Sequence, residues 1–504
     1  MAHLPGDRYD QALQGHVRPP GWPDPEPAWR YDLVVVGAGT AGLVTAAGAA
    51  SLGARVALVE RNLMGGDCLN FGCVPSKGIL RAARAVHDAR NASEFGVAGG
   101  EWLVFDFPRA MERMRRLRAG IGAHDSAARF RDTLGVDVFI GEGRFTGRDS
   151  LSVNGRRLRF RKAAICTGAR ASLPPVPGLA EAGCLTNETV FSLTALPPRL
   201  LVIGAGPVGC EMAQAFARFG SRVTLVTRGS GLLPREDLDA TRLLHDVFVR
   251  EGITVCLGAT TESVRRDGNE IIAAIRTAGE MQEVRVDAIL VGTGRLPNVE
   301  GLGLEAAGVD FEPGVGVKVD DRLRTTNPGI FAAGDICSRY RFTHAADAQA
   351  RILIANALFF GRRKASALTI PWCTYTDPEI AHVGMIARDA QEKESQVTTL
   401  TVPLSEVDRA VLDGEAEGFA RIHLIKGTDR ILGATLVAAH AGEMIGEISL
   451  AMTNGLGLSA IGKTIHPYPT QAEAVRKLAD AYARNRLTPF VKRLFSAWFG
   501  WRTG

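Results

Sequence analysis

The sequence predicts an α/β fold in which one strand–turn–helix unit is used twice and an α+β unit follows, and three observations predict it. Two glycine fingerprints, Gly37-Ala-Gly-Thr-Ala-Gly42 and Gly204-Ala-Gly-Pro-Val-Gly209, each follow an apolar strand and open a helix. Their flanks align without a gap, Gly53 with Gly220 and Arg55 with Arg222. From Pro371 the pattern changes to alternating strands such as Phe419–Ile425, followed by two helical stretches. The repeated unit is a Rossmann-like dinucleotide-binding domain.

In chain order, residues 1–30 are rich in Pro, Gly and His, show neither helical nor strand period, and predict a flexible arm. The strand Leu33–Val36 then runs into Gly37, Gly39 and Gly42, with Thr40 and Ala41 between the last two glycines and an Ala-rich helix continuing to Leu52. Such glycines let the backbone approach a pyrophosphate, which the helix N-terminus holds through free N–H groups and its dipole. Glu60 ends the next strand, Arg55–Glu60, where a carboxylate accepts hydrogen bonds from an adenosine ribose. This first site is read as an FAD site. In the second copy Gly204, Gly206 and Gly209 repeat the turn, but Thr227 followed by Arg228 stands where the first has Glu60. An uncharged residue beside an arginine suits a 2′-phosphate, so the second site is read as an NADPH site, with NADH the alternative.

Between the copies lies GGDCLNFGCVPSK, with Cys68 and Cys73 a few residues past the first fingerprint. A zinc site would need four ligands, and no second Cys/His pair of suitable spacing follows. The spacing and position favour a redox pair, and thiols at the start of a helix are expected to have lowered pKa values. The other six cysteines are scattered singly. The Pro-rich stretch Leu173–Gly178 and the segment Gly294–Asn298 mark two crossings between domains. They give an FAD-binding domain over 31–180 and 295–365, an NAD(P)H-binding domain over 181–294, a final domain over 371–482, and a tail over 483–504.

Composition agrees with an enzyme rather than a nucleic-acid-binding protein. The 504 residues are 46% hydrophobic with 57 glycines, enough for a large core, and a net charge of +5 is small for this size. Eight cysteines without a disulfide framework suit a reducing compartment. With no secretory leader pattern and no long uncharged apolar run, the expected location is cytoplasmic. The tail qualifies this. It interleaves Arg484, Arg486, Lys492, Arg493 and Arg502 with Phe490, Leu494, Phe495, Trp498, Phe499 and Trp501, so it either packs on its own domain or a partner subunit, or lies peripherally on an anionic membrane.

The ordered motifs GAGTAG, GGDCLNFGCVPSK, ICTGAR (165–170), GAGPVG, VGTGRLPN (291–298), TTNPGIFAAGD (325–335) and HPYPTQAE (466–473) resemble the class I pyridine nucleotide-disulfide oxidoreductases. That family includes dihydrolipoamide dehydrogenase, glutathione reductase and mercuric reductase, and the resemblance covers about Tyr31 to Tyr482. It implies FAD and NAD(P)H as cofactors and a C2 homodimer built through the final domain. Cofactor contacts fall on Gly66, Asp67, Lys77, Thr167, Gly168, Gly294 and Asp335, with Thr343 where the next helix passes the flavin. Lys77 and Glu211 resemble the ion pair near flavin N5, Cys73 the flavin-proximal thiol and Cys68 the interchange thiol. Electrons would pass from nicotinamide to flavin to the Cys68–Cys73 disulfide, and on to a disulfide, metal ion or other small-molecule acceptor.

One position departs from the commoner members. Counting back from Pro469, Thr470 and Glu473, Tyr468 stands where the disulfide reductases place a His base, with His466 two residues earlier. A tyrosine there resembles mercuric reductase, whereas the vicinal cysteines typical of that enzyme near the C-terminus are missing, since no cysteine follows Cys373. The reading is a mercuric reductase-like enzyme, with a dihydrolipoamide dehydrogenase-type disulfide reductase as the alternative and a redox-controlled flavoprotein acting at a membrane surface as a third.

Overall fold

The computed structural model describes residues 6–393 and 395–503. It divides into two compact units, one of residues up to 230 together with 251–368, the other of 231–250 with 369 onward.

In the first unit, strands β1 (Tyr31–Val36) and β2 (Val56–Glu60) pair in parallel because both are continuous apolar runs buried on two faces. The sheet continues through β3 (Asp137–Ile140) on one side. On the other side, after the hairpin strands β4 (Arg144–Gly147) and β5 (Ser150–Val153), β6 (Arg156–Ile165) pairs with β1. Strand Ile330–Ala332 also joins β6, bringing Asp335 back to the end of β1. The second copy repeats this arrangement on a smaller sheet ordered Thr254–Cys256, Arg222–Val226, Arg199–Ile203 and Ala288–Val291, all parallel. A separate three-stranded antiparallel sheet spans 259–286.

Two departures from the sequence expectation appear. Residues 8–17, expected to be part of a flexible arm, form helix α1 (Arg8–Val17), capped by the Asp7 carboxylate accepting from the amides of Tyr9 and Asp10. Leu13 and Val17 bury in the main core. Asp10 pairs with Arg118, whose side chain is 1% exposed, at 2.8 Å. The pairing is set by residues far along the chain, so no local period announces it. Second, residues 231–250, expected inside the nicotinamide domain, group with the C-terminal unit. There Asp237 and Asp239 pair with Arg421, Glu236 accepts from the Trp372 indole at 2.6 Å, and Arg250 pairs with Glu417.

That second unit is a five-stranded antiparallel sheet ordered Pro371–Thr374, Glu379–Gly384, Ile431–Ala438, Phe419–Ile425 and Val397–Pro403. Helices Ala441–Thr453 and Glu473–Asn485 cover it through Ile448, Val475 and Leu478. Past them, Pro489–Thr503 forms one more helix.

Candidate active site

Gly37 closes the first turn at φ +97°, and a Cβ there would lie 2.4 Å from the Cys166 carbonyl oxygen. Helix α2 (Thr40–Ser51) then packs against the turn so closely that a Cβ on Gly42 would lie 1.8 Å from the Gly37 oxygen. The second copy repeats both contacts: a Cβ on Gly204 would lie 2.6 Å from the Gly292 oxygen, and one on Gly209 1.9 Å from the Gly204 oxygen. In contrast, Gly39 and Gly206, the caps of α2 and of α6 (Pro207–Phe219), meet nothing closer than 3.7 Å, and neither helix start has a side-chain cap. Open space over uncapped amides is what a pyrophosphate requires.

At the end of β2, buried Glu60 accepts from the amides of Ala38 and Asn62, each at 2.7 Å. Burial pushes its carboxyl upward against the pull of those two bonds. At the matching end in the second copy, the Thr227 hydroxyl accepts from the Gly229 amide at 3.3 Å and Arg228 is exposed.

Cys68 lies in the short helix α3 (Gly66–Phe71), and Gly72 breaks the chain before helix α4 (Cys73–Arg90). Cys73 is therefore the first residue of an 18-residue helix, where the dipole favours a thiolate. Both cysteines are free thiols. The Cys68 S–H donating to it holds Cys73 down to about 6, aided by Thr343 and Lys77 and opposed by burial. Cys68 is pushed up for the complementary reason, with burial adding to it. This corrects the expectation that both thiols would be lowered, because helix position acts on Cys73 while the neighbouring thiolate governs Cys68.

The other predicted residues converge from distant segments. Thr343, the first residue of helix Thr343–Leu358, places Oγ1 3.5 Å from Cys73 Sγ. Lys77, one turn beyond Cys73, brings Nζ to 2.9 Å from Glu211 Oε2 on α6, and Glu211 is buried. Asp67 accepts from Asn187 at 2.8 Å and pairs with Arg295 at 3.1 Å, while Arg295 Nε lies 3.7 Å from Asp335. Burial pushes the Asp335 carboxyl up and Arg295 opposes it. Thr167 donates its hydroxyl to the Asn298 carbonyl at 3.0 Å, while Gly168 and Gly294 take φ of +65° and +136° with open space where a Cβ would stand. Sequence reasoning missed Arg295 and Asn187. Arg295 directly follows Gly294 in a motif already singled out, so that signal was available. Among the described residues its buried Nε has no hydrogen-bond partner, a donor left over beside Asp335. Uncapped helix starts, that donor and the Asp335 acceptor fit a dinucleotide with a polyol chain.

Helix α1 reaches this site from outside the predicted domain. Arg118, on helix α5 (Phe107–Gly122), donates to the Asp10 carboxylate on one side and to the Asn70 carbonyl of α3 on the other, each at 2.8 Å. Asn70 in turn donates to the Met64 and Gly66 carbonyls, and the Val17 carbonyl accepts from the Met64 amide. The N-terminal helix thus braces the short helix α3 that carries Cys68.

In the second unit, Tyr468 is 70% exposed and its hydroxyl donates to Asp408 at 2.8 Å, which pushes the phenol up and keeps it a donor. His466 differs, with a ring 7% exposed and both nitrogens engaged, Nδ1 by the Thr464 carbonyl at 3.1 Å and Nε2 by Glu447 at 3.0 Å. Glu473 is buried and pairs along its own helix with Arg476 at 2.9 Å.

Residues 31–350 match the pyridine nucleotide-disulphide oxidoreductase family, and 370–479 match the dimerisation domain of the same family. A mercuric reductase of Streptomyces lividans is 36% identical over 460 residues, 90% of this chain and 96% of that protein. A dihydrolipoyl dehydrogenase of Thermus scotoductus is 34% identical over 462 residues, covering 90% and 97%. Among solved structures, the Cu(II) complex of the HOCl-induced flavoprotein disulfide reductase RclA from Escherichia coli superposes with a TM-score of 0.80 at 29% identity, over 90% of this chain and all of that one. Turns, thiol pair and both matched domains lead to one assignment: the chain belongs to the class I pyridine nucleotide-disulphide oxidoreductase family, FAD-dependent enzymes that use NAD(P)H and carry a dimerisation domain.

Proposed function

We propose that this enzyme is a mercuric reductase-like, NADPH-driven reductase whose dithiol takes a thiol-ligated soft metal ion in preference to a large disulfide. The observation that carries the reading is the contrast between the two thiols and the residue offered to them. Cys73 is a ready thiolate, whereas Cys68 is pushed up and must lose a proton before it can attack or ligate. A disulfide reductase meets that need with an imidazole. Here the aligned residue is the exposed phenol of Tyr468, a hydrogen-bond donor to Asp408 and a poor proton acceptor. A soft metal supplies the driving force itself, since coordination deprotonates a thiol outright, and a phenol O–H then stabilises the bound thiolates.

The bound FAD and nicotinamide supply two-electron transfer, and the protein's own residues do the rest. Gly39 and Gly206 leave the helix starts open to the two pyrophosphates. Glu60 would receive the adenosine ribose of FAD and Arg228 the 2′-phosphate of NADPH. Lys77, held by Glu211, and Thr343 keep Cys73 ionised. Cys68 faces the acceptor and carries the transferable proton. Tyr468 and Glu473 would act from the neighbouring subunit of the homodimer. The metal would arrive as a complex with small thiols.

A dihydrolipoyl dehydrogenase-type activity is the second reading, favoured by the matching relative from Thermus scotoductus. It would require His466 as the base, which means freeing a buried ring from Glu447 and Thr464. Both readings are tested by measuring NADPH-driven reduction of lipoamide and of a thiol-complexed mercuric ion on the wild type, Tyr468→His, Tyr468→Phe and His466→Ala. The expected outcome is weak lipoamide turnover that Tyr468→His raises by about tenfold or more, with metal reduction lost in Tyr468→Phe and kept in His466→Ala. Rapid lipoamide turnover that His466→Ala removes would overturn the ranking.

A further inference from the structure

The whole chain carries 59 Lys and Arg against 54 Asp and Glu. Residues 483–504 hold Arg484, Arg486, Lys492, Arg493 and Arg502 and no acid, so these five cations account for the entire excess and the rest of the molecule is neutral. Three of the five, Lys492, Arg493 and Arg502, lie on the helix Pro489–Thr503, beyond the matched dimerisation domain that ends at 479.

On that helix Phe490, Leu494, Phe495, Trp498, Phe499 and Trp501 recur at spacings of three and four. At about 100° per residue they share one half of the circumference with Arg502 at the helix end, and Lys492 and Arg493 lie on the other half. Every residue from Lys492 to Arg502 is exposed, and Phe490 and Trp501 reach 75%. Trp498 and Trp501 lie side by side with ring centroids 5.4 Å apart. At ~1.5 Å per residue this helix is about 22 Å long, short of the ~30 Å hydrocarbon core. Among the described residues no helix is long and apolar enough to cross a membrane.

We infer that the helix Pro489–Thr503 is a peripheral membrane anchor that lies in the plane of a bilayer bearing anionic headgroups. An aromatic half sinks to the level of the headgroup boundary, where tryptophan rings are favoured, and Lys492 and Arg493 reach the phosphates above it. The charge selects the partner: a single-sign cluster on an otherwise neutral protein is complementary to an anionic surface. Pairing of two such helices across a twofold axis would instead set Lys492, Arg493 and Arg502 of one against the same three cations of the other.

The test uses the full-length holoenzyme and vesicles of phosphatidylcholine, with or without phosphatidylglycerol, read by co-sedimentation. Binding to the anionic vesicles is expected at low salt, about tenfold or more above binding to the neutral ones, with release at about 0.5 M salt. Arg493→Glu and the double variant Trp498→Ser/Trp501→Ser should each weaken it by about tenfold or more. NADPH-driven reduction of a small soluble disulfide should be unchanged in both variants. Wild-type protein that stays in the supernatant with anionic vesicles would overturn the inference, as would equal binding to neutral vesicles. A change in the oligomer mass of the tryptophan variants without lipid, measured by light scattering, would overturn it too, because a second copy would then be what covers this face.

Discussion

The two dinucleotide turns share a backbone and differ where their second strands end. In both, the last fingerprint glycine allows helix and turn to touch, with a hypothetical Cβ 1.8 Å or 1.9 Å from a carbonyl oxygen. At the strand end, however, the first copy buries Glu60 between two amides, while the second has Thr227 bonded to Gly229 and an exposed Arg228. The glycines leave room for a pyrophosphate, and under the proposed function the strand-end residue would distinguish a free 2′-hydroxyl from a 2′-phosphate on the adenosine ribose. The copies are also physically joined, because the Lys77–Glu211 pair runs from the thiol helix of one to the fingerprint helix of the other.

The strongest way to break this equivalence is to fill the glycines one at a time. Gly42→Ala should yield protein that purifies without FAD and loses activity by about 100-fold or more. Gly209→Ala should keep the flavin spectrum and lose NADPH-dependent flavin reduction. Stoichiometric FAD in Gly42→Ala would show that the close contact is not needed. A smaller effect separates the strand ends: Arg228→Ala should raise the Michaelis constant for NADPH by about tenfold, the cost of one charge-assisted hydrogen bond, and leave that for NADH nearly unchanged. Thr227→Glu should shift preference toward NADH, and equal use of both nucleotides by the wild type would refute the assignment.

The smallest effect concerns the ion pair that joins the copies. Alkylation of the reduced enzyme should follow Cys73 ionisation, with an inflection near pH 6 and little reaction below it. Lys77→Met should move that inflection upward, since Lys77 is one of the groups holding the thiol down. The folded Cys73 thiol lies near 6 against an ordinary 9.0, so its contribution is full above pH 9 and is lost as pH falls through 6. Thermal melts of the reduced protein should show this pH dependence, and Cys73→Ser should lack it.

Much of this was legible in the sequence because the informative residues are local. Gly37, Gly39 and Gly42 lie within six residues, and Cys68 and Cys73 are five residues apart on consecutive helices, so spacing and motif order made them conspicuous. Helix α1 was not legible, since its hold on the core is the pairing of Asp10 with Arg118, and Arg118 is set by α5. Arg295 and Asn187 converge on Asp67 from separate segments. The upward shift of Cys68 is a property of the pair that neither residue shows alone.

The excursion of residues 231–250 gives the chain an unusual itinerary. The polypeptide leaves the first unit after Ser230, returns at Glu251, and leaves again after Leu368. No single cut therefore frees an intact C-terminal unit: a fragment beginning at 369 would strand Arg421 without Asp237 and Asp239, and Trp372 without Glu236. On a ribosome the same unit must wait, because its first helix emerges long before the sheet it belongs to. A gene fusion or split-protein design that treats the C-terminal third as a movable module would need to carry these twenty residues with it, as a rearranged chain rather than a truncated one.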